Sequence, residues 1–342
     1  MKKLNPVIVA LSILLVAAMA VPALLVLPFS SNDQAKGKLG EQLEKPTKSN
    51  TNQPESSIEV SVFRSNQNTV EKLPLEKYVA GVVAAEMPAD FEKEALKAQA
   101  LSARTFIVKK IMNPTNGTLP QNADVTDTIQ HQVYKNQQEL KGIWGKGFDW
   151  KMKKIEKAVS ETAGQILTYN GEPIEASFFS TSNGFTENSE SYWNHSIPYL
   201  KSVESPWDKN SPKFQSKKSL KLSEFEAKLG VKLNTTKDVG IITARTPGKR
   251  VATVKIGNQE LTGREVREKL DLRSTDFSWV LKGDEIIITT KGYGHGVGMS
   301  QYGANGMAKE GKNYKEIVKH YYQDVEISPS EKLLANQTTA RK

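Results

Sequence analysis

The chain has 342 residues, enough for one large domain or two of ordinary size, and only 38 % of them are hydrophobic, so part of it is expected to lie outside any packed core. Its net charge of +9 and pI near 9.3 point to an anionic partner: nucleic acid, a membrane surface or a wall polymer. There is no cysteine, which excludes disulfides, thiolate nucleophiles and cysteine-based zinc sites.

Lys2 and Lys3 precede a nearly unbroken apolar run from Val7 to Leu27. As a helix that run would reach about 30 Å, enough to cross a bilayer, and the basic flank places its N-terminus in the cytoplasm. Ala18-Met19-Ala20 would suit a signal peptidase, and Pro22 would kink the helix. Because the apolar stretch continues past both, residues 1–29 are expected to be an uncleaved transmembrane anchor. The remainder then lies outside the cytoplasm, which weighs against nucleic acid and for the wall. Residues 30–57 are rich in Asn, Gln, Ser, Lys and Pro and read as a flexible polar tether. A folded domain is expected over 58–327, and a polar, disordered tail over 328–342.

Within the domain, Ile58 to Val62 alternates as a strand does, and Thr69 to Leu75 gives a weaker strand signal. Tyr78, Val79, Val82 and Val83 repeat at three and four, predicting a helix from Leu75 to Ala85 that Pro88 stops. Asp90 is the expected N-cap of a second helix, whose face carries Leu96, Ala100, Ala103 and Ile107. Glu86 sits at the junction, between Ala85 and Met87, and has two readings. It is a helix-end glutamate in a structural ion pair with Arg104, or a carboxyl that desolvation equips to donate a proton near neutral pH. Gln99, Ser102 and Arg104 supply polar atoms to a run otherwise rich in alanine, whose small residues leave room for a groove.

Residues 113–149 are expected to be loop-rich, with His131, Tyr134, Trp144 and Phe148 in a sugar site or a small local core. Lys151 to Thr162 reads as an amphipathic helix. Gln165–Tyr169 and Ile174–Phe179 read as strands joined at Asn170-Gly171, a strong hairpin signal. They lead to the hydroxyl-rich stretch Ser180 to Gly184. A short strand is expected at Tyr199–Val203 and a basic loop at Lys209–Lys221. Ser223 with Glu226 should cap one helix, and Thr262 with Glu265 another. Hairpins are expected over 238–256 and 277–290, and closing helices over 300–310 and 313–321.

The glycine-rich stretch Lys291 to Gly298 has neither dinucleotide spacing nor a P-loop ending. It reads as a tight loop that either presents His295 to a ligand or hydrogen-bonds that histidine internally. Ser180 and Ser182 lack the nucleophile elbow of serine hydrolases. His131, His195, His295 and His320 are scattered, and neither a metal nor a cofactor is expected. The fold class predicted is α+β, with helices and antiparallel hairpins around a central groove, in one lobe or two.

GVVAAEMP, EALKAQALSARTF, FFSTSNGFT, YLKSVESPWD and GYGHGVGMSQYGA together resemble the stage II sporulation protein D family, which includes so-called amidase enhancers. The resemblance spans residues 58–325 and the N-terminal anchor. It implies a membrane-anchored lytic transglycosylase that acts on peptide-stripped peptidoglycan during engulfment, in the mother-cell membrane, facing the space between the septal membranes. Implied partners are glycan strands, the amidase stage II sporulation protein P and other engulfment membrane proteins. The family's catalytic acid matches Glu86, and its groove residues match Gln99, Ser102, Arg104, Tyr199, Lys201 and His295. Lys201 and Arg104 would hold the lactyl carboxylate that peptide removal exposes. Some members bind zinc through cysteines beside the histidine that matches His131; here Gln132 follows it and no cysteine exists, so no such site is expected. The competing class is a non-catalytic module that recruits or stimulates an amidase.

Overall fold

The computed structural model describes residues 58–114, 119–233 and 239–338. The expected anchor (1–29) and tether (30–57) lie outside the described residues. Among the described residues no helix is long and apolar enough to cross a membrane.

Alternation sets the first hairpin. Strand β1 (Glu59–Arg64) buries Val60, Val62 and Arg64 and pairs antiparallel with β2 (Thr69–Pro74). Pro74 leads into α1 (Leu75–Glu86), which runs one residue past the expected end. It stops where Met87 turns extended, the conformation favoured before a proline. Helix α2 (Lys93–Met112) begins later than expected. Its start is secured by Asn305, whose Oδ1 accepts the Glu92 N–H at 2.8 Å, rather than by Asp90. Its alanines are explained by crowding: α2 is buried on several faces, with Ala95, Ala98, Ala100 and Ala103 all fully enclosed.

The stretch expected to be loop-rich carries β3 (Val125–Thr126), parallel to β1, and α3 (Gln137–Trp144), which opens with an Asn136/Glu139 capping box. Helix α4 (Phe148–Ser160) follows and buries Met152, Ile155 and Val159 as one face. The hairpin at Asn170-Gly171 is present but short. Both residues have positive φ, and the returning strand β5 (Glu172–Pro173) pairs with only the end of β4 (Gln165–Tyr169). The chain then leaves that sheet, and β6 (Phe178–Phe179) pairs elsewhere. No strand forms at 199–203; α5 (Ser189–Trp193) precedes that irregular stretch. The expected basic loop corrects to strand β7 (Gln215–Lys221).

Helix α6 (Leu222–Leu229) has no Ser223 cap, because Glu226 instead accepts the Leu233 N–H at 2.8 Å. Strands β8 (Ile241–Arg245), β9 (Val251–Ile256) and β10 (Gln259–Thr262) form an antiparallel sheet. Helix α7 (Gly263–Lys269) has the expected Thr262/Glu265 capping box. Strands β11 (Asp276–Lys282) and β12 (Glu285–Lys291) make the expected hairpin, and β12 also pairs with β7. Strand β13 (Met299–Ser300) runs parallel to β6 and leads into α8 (Gln301–Lys309), followed by α9 (Tyr314–Tyr321).

Part of the stretch expected to be a disordered tail, residues 328–338, is structured, and 339–342 lie outside the described residues. Strand β14 (Glu326–Pro329) pairs with β4, and α10 (Glu331–Thr338) buries Leu334. The apolar leucine docks where composition alone suggested fraying. The fold is α+β with small sheets, mostly antiparallel. Apolar burial divides into two cores. One gathers α1, α2, α4, β4, α8 and α9, and the other gathers α6, α7, β9 and the β7–β12 region.

Candidate active-site groove

A groove of about 670 Å³ opens beside the end of α1. Glu86 enters it from the last turn of that helix. The Glu86 carboxylate accepts the Val133 N–H at 2.9 Å, and no cation pairs with it among the described residues. Burial pushes its pKa up, while the Val133 hydrogen bond opposes the shift. The reading of Glu86 as an ion-pair partner of Arg104 is therefore overturned.

The floor next to Glu86 is fixed by Gln301, the first residue of α8. Its Nε2 donates to the Glu86 carbonyl at 3.1 Å and to Gln99 Oε1 at 3.3 Å. Ser300 caps α8, and its hydroxyl also donates to Asp208 at 2.6 Å. Asp208 is buried, which raises its pKa, and it gathers further donors from Ser182 Oγ at 2.8 Å, Ser182 N–H at 2.9 Å and Ser205 Oγ at 2.6 Å. Ser182 is thus a fixed donor in a structural network that anchors Gln301.

The opposite wall is the loop from Lys291 to Gly298. Gly296 and Gly298 have φ of 92° and 80°, and a Cβ there would overlap the Arg250 guanidinium and the Ser177 carbonyl oxygen respectively. The loop places the His295 ring among Phe179, Tyr192 and Trp193, with centroids 5.6, 5.6 and 5.8 Å away. His295 Nδ1 accepts the Val297 N–H at 3.1 Å, so the ring proton belongs on Nε2. Burial, with Arg267 and Arg250 nearby, pushes its pKa down to about 4, and it is neutral at pH 7. The loop therefore does both things the sequence left open: it presents His295 to the groove and hydrogen-bonds it internally.

The other expected groove residues divide. Gln99 is buried behind Gln301. Ser102 is also buried and meets Tyr322 Oη at 3.2 Å; that hydroxyl donates to the Ser177 carbonyl at 2.8 Å. Tyr199 Oη accepts the Glu175 N–H at 2.9 Å. Ser102 and Tyr199 thus brace the 175–177 wall from behind. Arg104 is not in the groove. It is fully buried and grips Glu76 with Nε at 2.9 Å and Nη2 at 2.6 Å, while Nη1 and Nη2 donate to the Gln165 and Val159 carbonyls. Lys201 is not in the groove lining either, and its Nζ lies 3.0 Å from Glu190 Oε1.

Sequence reasoning missed Gln301, Trp193, Tyr293, Lys213 and Glu175, all of which line the groove. Gln301 had a signal: it directly follows the glycine-rich loop and the Ser300 cap. Lys213 had none beyond its basic neighbourhood. Glu175 is held by Lys109 at 3.4 Å.

The surroundings of His131 do not suit a metal. Its Nδ1 accepts the Thr126 N–H at 3.3 Å and meets Thr126 Oγ1 at 2.9 Å. Burial and Lys110 lower its pKa. Among the described residues no group of three or more His, Cys, Asp or Glu could hold an ion.

A family model described as stage II sporulation protein matches residues 64–169, which include Glu86, Gln99, Ser102 and Arg104. The chain is 52 % identical to stage II sporulation protein D of Bacillus subtilis (strain 168), over 98 % of each chain. It is 51 % identical to the protein of the same name from Bacillus amyloliquefaciens, over 97 % of this chain and 98 % of that one. It is also 32 % identical to an amidase enhancer of Bacillus subtilis (strain 168), over 71 % of this chain and 39 % of that one.

Proposed function

The chain belongs to the stage II sporulation protein D family, and from that premise we propose that it is a lytic transglycosylase acting on peptide-stripped peptidoglycan during engulfment. The observation that carries the reading is Glu86: a carboxyl at the groove, desolvated, held by a backbone donor and, among the described residues, in no ion pair. Such a group retains its proton toward neutral pH and can give it up to a leaving oxygen.

The reaction needs no second protein carboxylate. Glu86 protonates the oxygen between N-acetylmuramic acid and N-acetylglucosamine, and the bond from that oxygen to the muramoyl anomeric carbon breaks. The muramoyl 6-hydroxyl forms the new bond to the same carbon, and its proton passes to the Glu86 carboxylate. The products are a free N-acetylglucosamine 4-hydroxyl and a 1,6-anhydro ring, and the acid is regenerated. Intramolecular attack supplies the proximity that a hydrolase must create for water. The aromatic rings of Trp193 and Tyr293 offer the groove apolar faces for sugar rings, beside a neutral His295.

The wider setting belongs to the same proposal. Residues 7–27 would anchor the protein in the mother-cell membrane, with the folded part facing the space between the septal membranes. An amidase, stage II sporulation protein P, would strip the peptides. The relative named amidase enhancer favours a second reading, in which the groove only binds glycan and the protein stimulates an amidase.

Mass spectrometry of stripped glycan strands after incubation separates the readings. The lytic reading expects anhydro-muramoyl ends from the wild type and none from folded Glu86→Gln protein. Reducing ends would mean hydrolysis, and intact strands would leave the binding module.

A further inference from the structure

We infer that Lys213, held beside Tyr293, forms a carboxylate-binding subsite that reads the free lactyl group of the glycan; the inference rests on the glycan reading of the groove given above. Lys213 is half-buried in the groove lining, with Nζ 5.4 Å from the Tyr293 ring centroid and 5.9 Å from that of Tyr302. Other basic groups carry carboxylate partners: Lys109 pairs with Glu175, Lys201 with Glu190 and Arg245 with Asp276. Among the described residues Lys213 has no ion pair, and the groove therefore holds a cation whose partner the protein does not supply. Arg273 lies 5.2 Å from the same Tyr293 ring and adds to the positive potential there.

The lysine is also well placed for recognition. Its backbone N–H donates to Ser211 Oγ at 3.0 Å, and Ser211 Oγ meets Thr181 Oγ1 at 3.0 Å. Thr181 and Tyr293 exchange backbone hydrogen bonds at 3.1 and 2.7 Å, and the Gly292 N–H donates to the Phe214 carbonyl at 2.7 Å. Lys213, the hydroxyl-rich stretch and the His295 loop are therefore tied together through their backbones, which fixes where the lysine side chain starts.

The ligand follows from charge. The hydroxyls and acetamides of a glycan strand are neutral. Its muramoyl lactyl group is an amide while a peptide is attached and a carboxylate once the peptide is gone. An unpaired ammonium beside an aromatic face thus favours stripped strands, as Arg104 and Lys201 were expected to do and, by their positions, do not.

The test measures affinity in the full-length Glu86→Gln protein, where turnover is silent. Fluorescent strands are supplied in three forms: stripped, stripped with the lactyl carboxylate capped as a methylamide, and peptide-bearing. Lys213→Gln should weaken binding of stripped strands roughly 10- to 100-fold, the range for a hydrogen bond to a charged group, and leave capped strands unchanged. Lys213→Arg should keep most of the preference. Equal losses on stripped and capped strands, or no loss on either, would overturn the subsite. An equal loss on peptide-bearing strands would move the recognised carboxylate to the stem peptide and overturn the lactyl assignment. Because the readout is affinity, failure of the wild type to make anhydro ends would sink the reaction without touching this result.

Discussion

Replacing Arg104 by methionine should cost stability and leave glycan affinity alone. Methionine keeps most of the apolar stem and removes the guanidinium. In the structure that guanidinium joins four elements: Glu76 of α1, Val159 of α4 and Gln165 of β4 all meet it on α2. Removing one partner of a buried pair typically costs about 3–5 kcal/mol, since the other charge and its carbonyl neighbours are left behind. Glu76 is 27 % exposed and keeps the Gly164 N–H at 3.3 Å, which places the loss at about 3–4 kcal/mol. For a folded unit of this size each kcal/mol lowers Tm by about 2–4 °C, giving a drop of roughly 6–16 °C. Lysine should not rescue it, because a single ammonium cannot reproduce two parallel bonds to Glu76. Thermal unfolding by circular dichroism and strand affinity at 20 °C would be read side by side. An unchanged Tm with lost affinity would refute this reasoning and restore Arg104 to the groove.

Glu86→Gln should be more stable than wild type at neutral pH. Its pKa is raised in the folded state, so ionisation penalises folding above the unfolded value of 4.5; the difference between the two proteins should shrink as pH falls to that value. By the same sign, anhydro-product formation should decline as pH rises through the raised pKa, and a rate that climbed instead would argue against a general acid. Gly303→Ala should destabilise by about 3 kcal/mol, because its Cβ would overlap the Tyr321 and Ser205 hydroxyls and lie 2.8 Å from Asp208 Oδ2. Gly142→Ala, with open space on α3, should gain about 0.5–1 kcal/mol, and urea melts of both decide. Activity should survive chelators; a loss that added zinc restores would show that a metal had been overlooked.

Helix α1 and the Glu86 junction were legible because both signals are local: three-four spacing of apolar residues and a proline two positions on. The capping box at Thr262 and the β11–β12 hairpin were readable for the same reason. Where local signals met a stronger distant partner they failed. Asp90 lost the start of α2 to Asn305, and Ser223 lost the cap of its helix when Glu226 turned to Leu233. The hairpin strand after Gly171 was cut short because Phe178 and Phe179 pair with Met299 and Ser300. For the site, glutamate, histidine and the glycine loop could be found from residue type and motif. Arg104 and Lys201 could not be placed, since the sequence does not say which carboxylate a cation will meet first. Glu76 and Glu190 decided that.

The link from Gln301 to the Glu86 carbonyl spans 215 residues, and those from Glu92 to Asn305 and Tyr314 to Glu94 span 213 and 220. Contacts of such separation close late, after the shorter loops have formed. During synthesis the helix bearing Glu86 emerges long before the residues that brace it. The chain would thus have no working groove until its last quarter arrived. We expect a chain truncated before Gln301 to show fast amide exchange at Val133 while α1 and α2 remain protected. Full protection at Val133 in that truncation would mean that the groove does not wait for its C-terminal brace. On this account the groove is timed by the order of the polypeptide itself, and a stalled or clipped chain lacks the brace beside Glu86.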